Sequence, residues 1–184
     1  DTIYHAIVNE HPIQLKYRSF KARSANNFIF YPYLLKEYRN RWFVYGVRGN
    51  GRILQNLALD RIQSLEVLPQ QHYIKNTFFD PNTFFDDLVG VTKNSGSVAE
   101  KVGFKVAAAE APYIITKPIH RSQQVVERLA DGSVILEIEV VINHELERVF
   151  FGYAEGIHVL YPKTLVELMG RKLKKAAEQY THSK

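Results

Sequence analysis

The chain predicts an α+β fold in two parts, a small antiparallel β-barrel followed by a compact α/β sandwich. Three observations lead there. From Pro12 the period changes to two, with Ile13, Leu15 and Tyr17 alternating with polar residues, and four or five short strands joined by tight turns follow one another up to Val67. Thr92-Lys93-Asn94-Ser95-Gly96-Ser97 is polar and flexible by composition. Beyond it, strand and helix periods are mixed, and the chain runs into a long amphipathic helix. With 184 residues the chain exceeds one average domain, and a hydrophobic content of 46% can supply its cores.

In order, residues 1–10 read as a short helix, with Ile3, Ala6 and Ile7 at helical spacing and His11-Pro12 ending it. Ile13, Leu15 and Tyr17 then alternate with Gln14, Lys16 and Arg18 as a strand, and Ser19 to Asn27 is a polar loop. Phe28 to Leu35 is a second strand in which Pro32, unable to donate to the ladder, marks an edge or bulge. Glu37 to Asn40 is a turn. Arg41 to Arg48 is the clearest strand, Gly49-Asn50-Gly51 a tight hairpin, and Arg52 to Arg61 the returning strand. Ile62 to Val67 extends or completes the sheet. So many short strands in so few residues favour a closed or nearly closed barrel, which removes exposed edges.

A domain boundary is expected between residues 70 and 100, giving a helix plus barrel over 1–69, a helical connector and linker over 70–100, and the α/β unit over 101–184. Pro81 to Val89 is expected as the connector's short helix. In the last unit Val102 to Ala108 reads as a strand, Ala111 to Ile115 as a helical turn, and Gln124 to Arg128 with Ser133 to Ile142 as a hairpin across Ala130-Asp131-Gly132. Asn143 caps a helix over Glu145 to Phe151, Ile157 to Leu160 is a short strand, and Pro162 begins the final helix.

The formal net charge is +5, and all of it lies in residues 1–69, where ten Lys and Arg face five acids; residues 70–184 balance at fourteen against fourteen. The same first part holds eleven of the 23 aromatic residues. Cations with interleaved rings suit a phosphate-bearing ligand with stackable bases, although aromatics filling a small core beneath a solvated basic face would produce the same composition. The chain has no Cys, which removes disulfides, thiolate metal sites and Cys nucleophiles. Asp1 to His5 lacks the basic start and apolar run of a signal peptide, and no apolar stretch reaches spanning length, so a soluble cytoplasmic protein without membrane contact is expected. Nucleophile-elbow, phosphate-loop and zinc-hydrolase motifs are missing, and the seven His are scattered without ligand spacing. No catalysis, metal or cofactor is expected.

Arg41-Trp42-Phe43-Val44-Tyr45-Gly46 and Leu57-Ala58-Leu59-Asp60-Arg61-Ile62 resemble the WYL domain, whose Trp-Tyr-Leu triplet is here Trp42-Phe43-Val44. Tyr17-Arg18 closing the first strand and Tyr31-Pro32-Tyr33 before the hairpin fit the same family. His120-Arg121-Ser122-Gln123, Glu145-Leu146-Glu147-Arg148 and Gly156 to Pro162 resemble the C-terminal extension that often follows it. The resemblance implies an SH3-like or Sm-like barrel acting as an effector sensor in a bacterial transcription regulator, dimerising through the extension. It also implies control of an N-terminal DNA-binding domain that this chain does not include. It carries over Tyr17, Arg18, Tyr33, Trp42, Arg52 and Arg61 as ligand-facing candidates, with single-stranded nucleic acid or a nucleotide as the effector and a homodimer as the assembly.

Strand parity weighs these candidates. Arg61 ends the apolar row Ile53, Leu57, Leu59, whereas Asp60 faces the other side with Asn56 and Ala58, out of reach in a regular strand. Arg61 is therefore either a structural anchor or a phosphate ligand. Core packing is the favoured reading for Trp42, Tyr17 and Tyr33 are open, and Arg18 and Arg52 read first as surface cations. The alternative to an effector sensor is a constitutive oligomerisation scaffold whose barrel binds nothing.

Overall fold

Alternation in the first part of the chain builds one antiparallel sheet. The computed structural model describes residues 1–49 and 53–181. A short helix α1 (Thr2–Val8) precedes β1 (Ile13–Tyr17), β2 (Asn26–Tyr38), β3 (Arg41–Arg48), β4 (Leu54–Ala58) and β5 (Ile62–Val67), and the strands lie in the order β4-β3-β2-β1-β5. In β1 Ile13 and Leu15 are wholly buried while Lys16 is exposed. Ile13, Leu15, Phe28, Phe30, Val44 and Leu57 gather with Ile3 and Ala6 of α1 into one core.

Two local features follow from residue type. Arg39 and Asn40 both adopt positive φ, 50° and 61°, forming a two-residue turn whose twist suits a hairpin, and the Asn40 backbone N–H donates to Glu37 Oε1 at 2.6 Å. The turn is thus shorter than expected, because Glu37 and Tyr38 stay paired with Trp42 and Arg41. The β2–β3 register slips between Pro32 and Leu34, as a proline without an N–H requires. Opposite Pro32, Gly46 passes so close to its neighbour that a Cβ there would stand 2.1 Å from the Tyr31 carbonyl oxygen.

The chain departs from expectation after Ala58. The strand anticipated up to Arg61 stops at Ala58, and Leu59–Arg61 forms a single 3₁₀ turn leading into β5, which pairs antiparallel with β1. Because this turn carries the chain from one edge of the sheet to the other, no pairing among the described residues joins β4 to β5. The sheet is open, and the closed barrel is not formed.

The chain divides into two compact units, Asp1–Phe84 and Phe85–Lys184. The connector helix expected from Pro81 is a run of turns instead. The Asp80 carbonyl accepts from Thr83 and Phe84 N–H groups and its carboxylate from Asn82, which completes one turn and goes no further.

The second unit contains β6 (Glu100–Val106), α2 (Ala111–Thr116), β7 (Gln124–Arg128), β8 (Val134–Val140), α3 (His144–Gly152), β9 (Ile157–Tyr161) and α4 (Lys163–Thr181). Its antiparallel sheet runs β7-β8-β6-β9, so the two strand–helix–strand segments interleave in a split βαβ arrangement. Val102, Phe104 and Val106 of β6 and Leu136 and Ile138 of β8 share a core with Ile114, Leu146, Phe150, Leu165 and Met169 from the helices. Asn143 caps α3 by accepting from the Leu146 N–H at 2.9 Å. In α4 only Leu165 and Met169 are buried, and Arg171 to Thr181 are all exposed. Among the described residues no helix is long and apolar enough to cross a membrane.

Candidate functional site

The 3₁₀ turn that ends the apolar row also assembles the site. Its Arg61 carbonyl accepts from the Arg18 backbone N–H at 3.2 Å, so the residue after β1 and the residue before β5 are held side by side. Around that joint Arg18, Ser19, Phe20, Asp60, Arg61, Ile62 and Gln63 line a cavity of about 330 Å³. The Arg61 guanidinium carbon stands 4.2 Å from the centroid of the Phe20 ring, a cation–π contact that orients the fork. The Arg61 side chain is 25% exposed, and its Nε is buried with no hydrogen-bond partner among the described residues.

Asp60 lies nearer than strand parity predicted, because the turn replaces the strand. Its Oδ1 is 4.0 Å from Arg61 Nε and its Oδ2 is 3.0 Å from Arg41 Nε. Two arginines, an aromatic face, a serine and the Gln63 amide therefore converge on one hollow. Such a set can neutralise a phosphate through planar N–H forks and offer a ring edge or amide to a base.

Of the six candidates, the structure brings Arg18 and Arg61 together in this cavity. Tyr17 is half-buried against the core of its own sheet, its ring edge-on to Phe28 at 6.5 Å, with the Arg48 guanidinium 4.1 Å from the other ring's centroid. Tyr33 is only 8% exposed and belongs to a separate aromatic cluster, stacked on Phe78 and edge-on to Tyr73. Its hydroxyl is buried without a hydrogen-bond partner among the described residues, and burial, with Tyr31 nearby, pushes its pKa up to about 12. Trp42, for which core packing was favoured, is instead 51% exposed near the start of β3. It pairs with Glu37 close to the hairpin turn. Arg52 lies outside the described residues.

Phe20, Gln63 and Arg41 went unrecognised as site residues. Phe20 sits in a segment that reads as a polar loop, and a lone exposed ring there carries no periodic signal. Gln63 and Arg41 could have been found only by knowing that Leu59–Arg61 turns. A second, apolar cavity of about 410 Å³ lies under α1 and shares Ile62 with the first.

Comparison with known proteins divides the chain at similar places. The WYL domain profile matches residues 1–67 and the WCX domain profile residues 99–177. Among solved structures, proteasome accessory factor B/C (PafBC) of Arthrobacter aurescens is 17% identical, with 97% of this chain and 26% of that chain covered and a TM-score of 0.37. A structure described as a CRISPR Cas-related protein is 12% identical, with 97% of this chain and 50% of that chain covered and a TM-score of 0.55. That second likeness is one of fold. The chain spans from about a quarter to half the length of these structures. No curated protein matches the chain at a significant level.

Proposed function

The chain belongs to the WYL-domain family, its WYL domain followed by a WCX domain, and on that premise we propose that it is the effector-sensing module of a bacterial transcription regulator. In this reading the first unit is an SH3-like open barrel that binds single-stranded nucleic acid or a nucleotide, the second pairs two protomers, and both act in the cytoplasm. Occupancy biases an attached DNA-binding domain between two arrangements, by as much as the ligand's affinity for those arrangements differs. The module binds its ligand without converting it.

The observation that carries this reading is the Arg18–Arg61 cavity. Its cations come from two chain segments joined by a backbone hydrogen bond, and the Phe20 ring orients one of them. A surface cation in water has no need of such support, whereas an N–H fork prepared for an anion does. Phosphate neutralisation by Arg also explains why the excess charge of the chain is confined to residues 1–69.

The test is fluorescence anisotropy of the protein with labelled single-stranded DNA, RNA and nucleotides across a salt series. Saturable binding that weakens with salt, and that Arg61→Ala reduces by about tenfold or more, is the expected result. Absence of binding at low salt, or full binding by the variant, overturns it. The exposed half of α4, with Leu173 and Tyr180 uncovered, favours a second reading, a constitutive oligomerisation scaffold. That reading predicts unchanged assembly and regulation when Arg61→Ala and Tyr33→Ala are combined.

A further inference from the structure

Asp60 is the single acid among the residues lining the cationic cavity, and its distances separate two roles a carboxylate can play beside an arginine. A carboxylate that anchors a guanidinium sits within hydrogen-bonding range, commonly through two parallel N–H···O contacts. Asp60 does not hold Arg61 in that way. Its Oδ1 is 4.0 Å from Arg61 Nε, beyond a hydrogen bond, and that buried Nε has no partner among the described residues. The close contact of Asp60 is with Arg41, at 3.0 Å, and Arg41 is not among the residues lining the cavity.

Asp60 is thus drawn aside by one arginine and stands near enough to the other to lower the positive potential there, without satisfying its N–H. We propose that Asp60 is a tethered competitor for the anion site, which raises the affinity threshold for ligands of the Arg18–Arg61 cavity, and that Arg41 sets how strongly it competes. The inference rests on the phosphate-binding reading given above. An incoming phosphate pairs with the solvent-exposed part of the Arg61 guanidinium against the repulsion of Asp60, so a lone small anion gains little. A strand that adds ring stacking and further phosphate contacts overcomes the repulsion. The side chain of Asp60 is 44% exposed, so the repulsion acts through a solvated mouth and is moderate. At about 4 Å in water it corresponds to roughly a fivefold change in affinity.

The experiment titrates a labelled oligothymidylate into the full chain and into its Asp60→Asn, Arg41→Ala, Asp60→Asn/Arg41→Ala and Arg61→Ala variants, each checked by thermal melting. Asp60→Asn is expected to bind about fivefold more tightly than the parent. Arg41→Ala is expected to weaken binding in the parent, by releasing Asp60 toward Arg61, and to add little once Asp60 is neutral, because its effect passes through that carboxylate. Asp60→Ser removes the same charge and replaces the Asn variant if that one melts early. Equal or weaker binding by both neutral variants, while the parent binds and Arg61→Ala does not, overturns the competitor role and leaves the phosphate reading intact. Binding by none of the proteins overturns both. Binding by Asp60→Asn alone establishes the competitor in its strongest form.

Discussion

The Tyr33 hydroxyl is enclosed among Tyr73, Phe78 and Phe79 and has no hydrogen-bond partner among the described residues. A buried hydroxyl without a partner loses its hydration and recovers nothing, so its removal should be free or favourable. Tyr33→Phe is expected to leave stability at neutral pH unchanged or raise it by up to about 1 kcal/mol, measured by urea denaturation. A loss of stability would mean that the hydroxyl is bonded. The pH dependence has a definite sign. The folded pKa is about 12 against an ordinary 10, so the fold favours the protonated phenol. That contribution is fully present below pH 10 and is lost as the pH rises through 12. The parent should therefore lose more stability between pH 9 and 11.5 than Tyr33→Phe does. Some alkaline loss will remain, because burial also raises the pKa of Tyr73, whose hydroxyl donates to the Pro32 carbonyl. Of the residues lining the cavity, Arg18 and Arg61 were named through the resemblance to the WYL domain and not through strand parity, which reads Arg18 first as a surface cation and runs a strand through the turn that holds Arg61. Phe20 was not, since nothing in a polar loop says which ring will meet a guanidinium.

At the level of elements, legibility follows periodicity. β1 could be read from alternation, β3 from an apolar run bounded by turns, and the Pro32 bulge from a missing N–H. Leu57-Ala58-Leu59-Asp60-Arg61-Ile62 misled because its apolar residues alternate straight through the 3₁₀ turn. Only the need of Ile62–Val67 to pair with β1 reveals that the strand has ended. The connector misled in the opposite direction, since Phe84, Phe85 and Leu88 have helical spacing but Asp80 and its neighbours close one turn only. Asn143 was read as a cap and does more than cap. Its amide also donates to the carbonyls of Val89 and Thr92, at 2.9 and 3.0 Å, so one buried side chain fixes both the start of α3 and the segment before β6. Asn143→Ala removes the cap and strands two carbonyls, and should cost about 3 kcal/mol in a denaturant titration of the whole chain. Asn143→Asp keeps the cap acceptor but cannot donate, and should fall between the two.

Across the whole molecule the charge is lopsided, with the +5 confined to residues 1–69 and the remainder balanced. The balanced part still displays a basic surface, because Arg171, Lys174 and Lys175 project from the exposed half of α4. Two sources of the proposed nucleic-acid affinity therefore compete: a general attraction to any positive surface, or release of counterions by the few cations that would touch phosphates in the cavity. Counterion release counts contacts, and the slope of log affinity against log salt falls by about one for each phosphate contact removed. If the cavity is the site, Arg18→Ala should weaken binding of single-stranded DNA and flatten that slope by about one. Lys174→Gln with Lys175→Gln removes two positive charges from the second unit and should change affinity by no more than about twofold, since a cation that touches no phosphate acts only through a field screened over roughly 8–10 Å at physiological salt. Should the α4 pair flatten the slope as much as Arg18→Ala does, the ligand follows net charge, and the Arg18–Arg61 cavity is one contact among many rather than the element that recognises it.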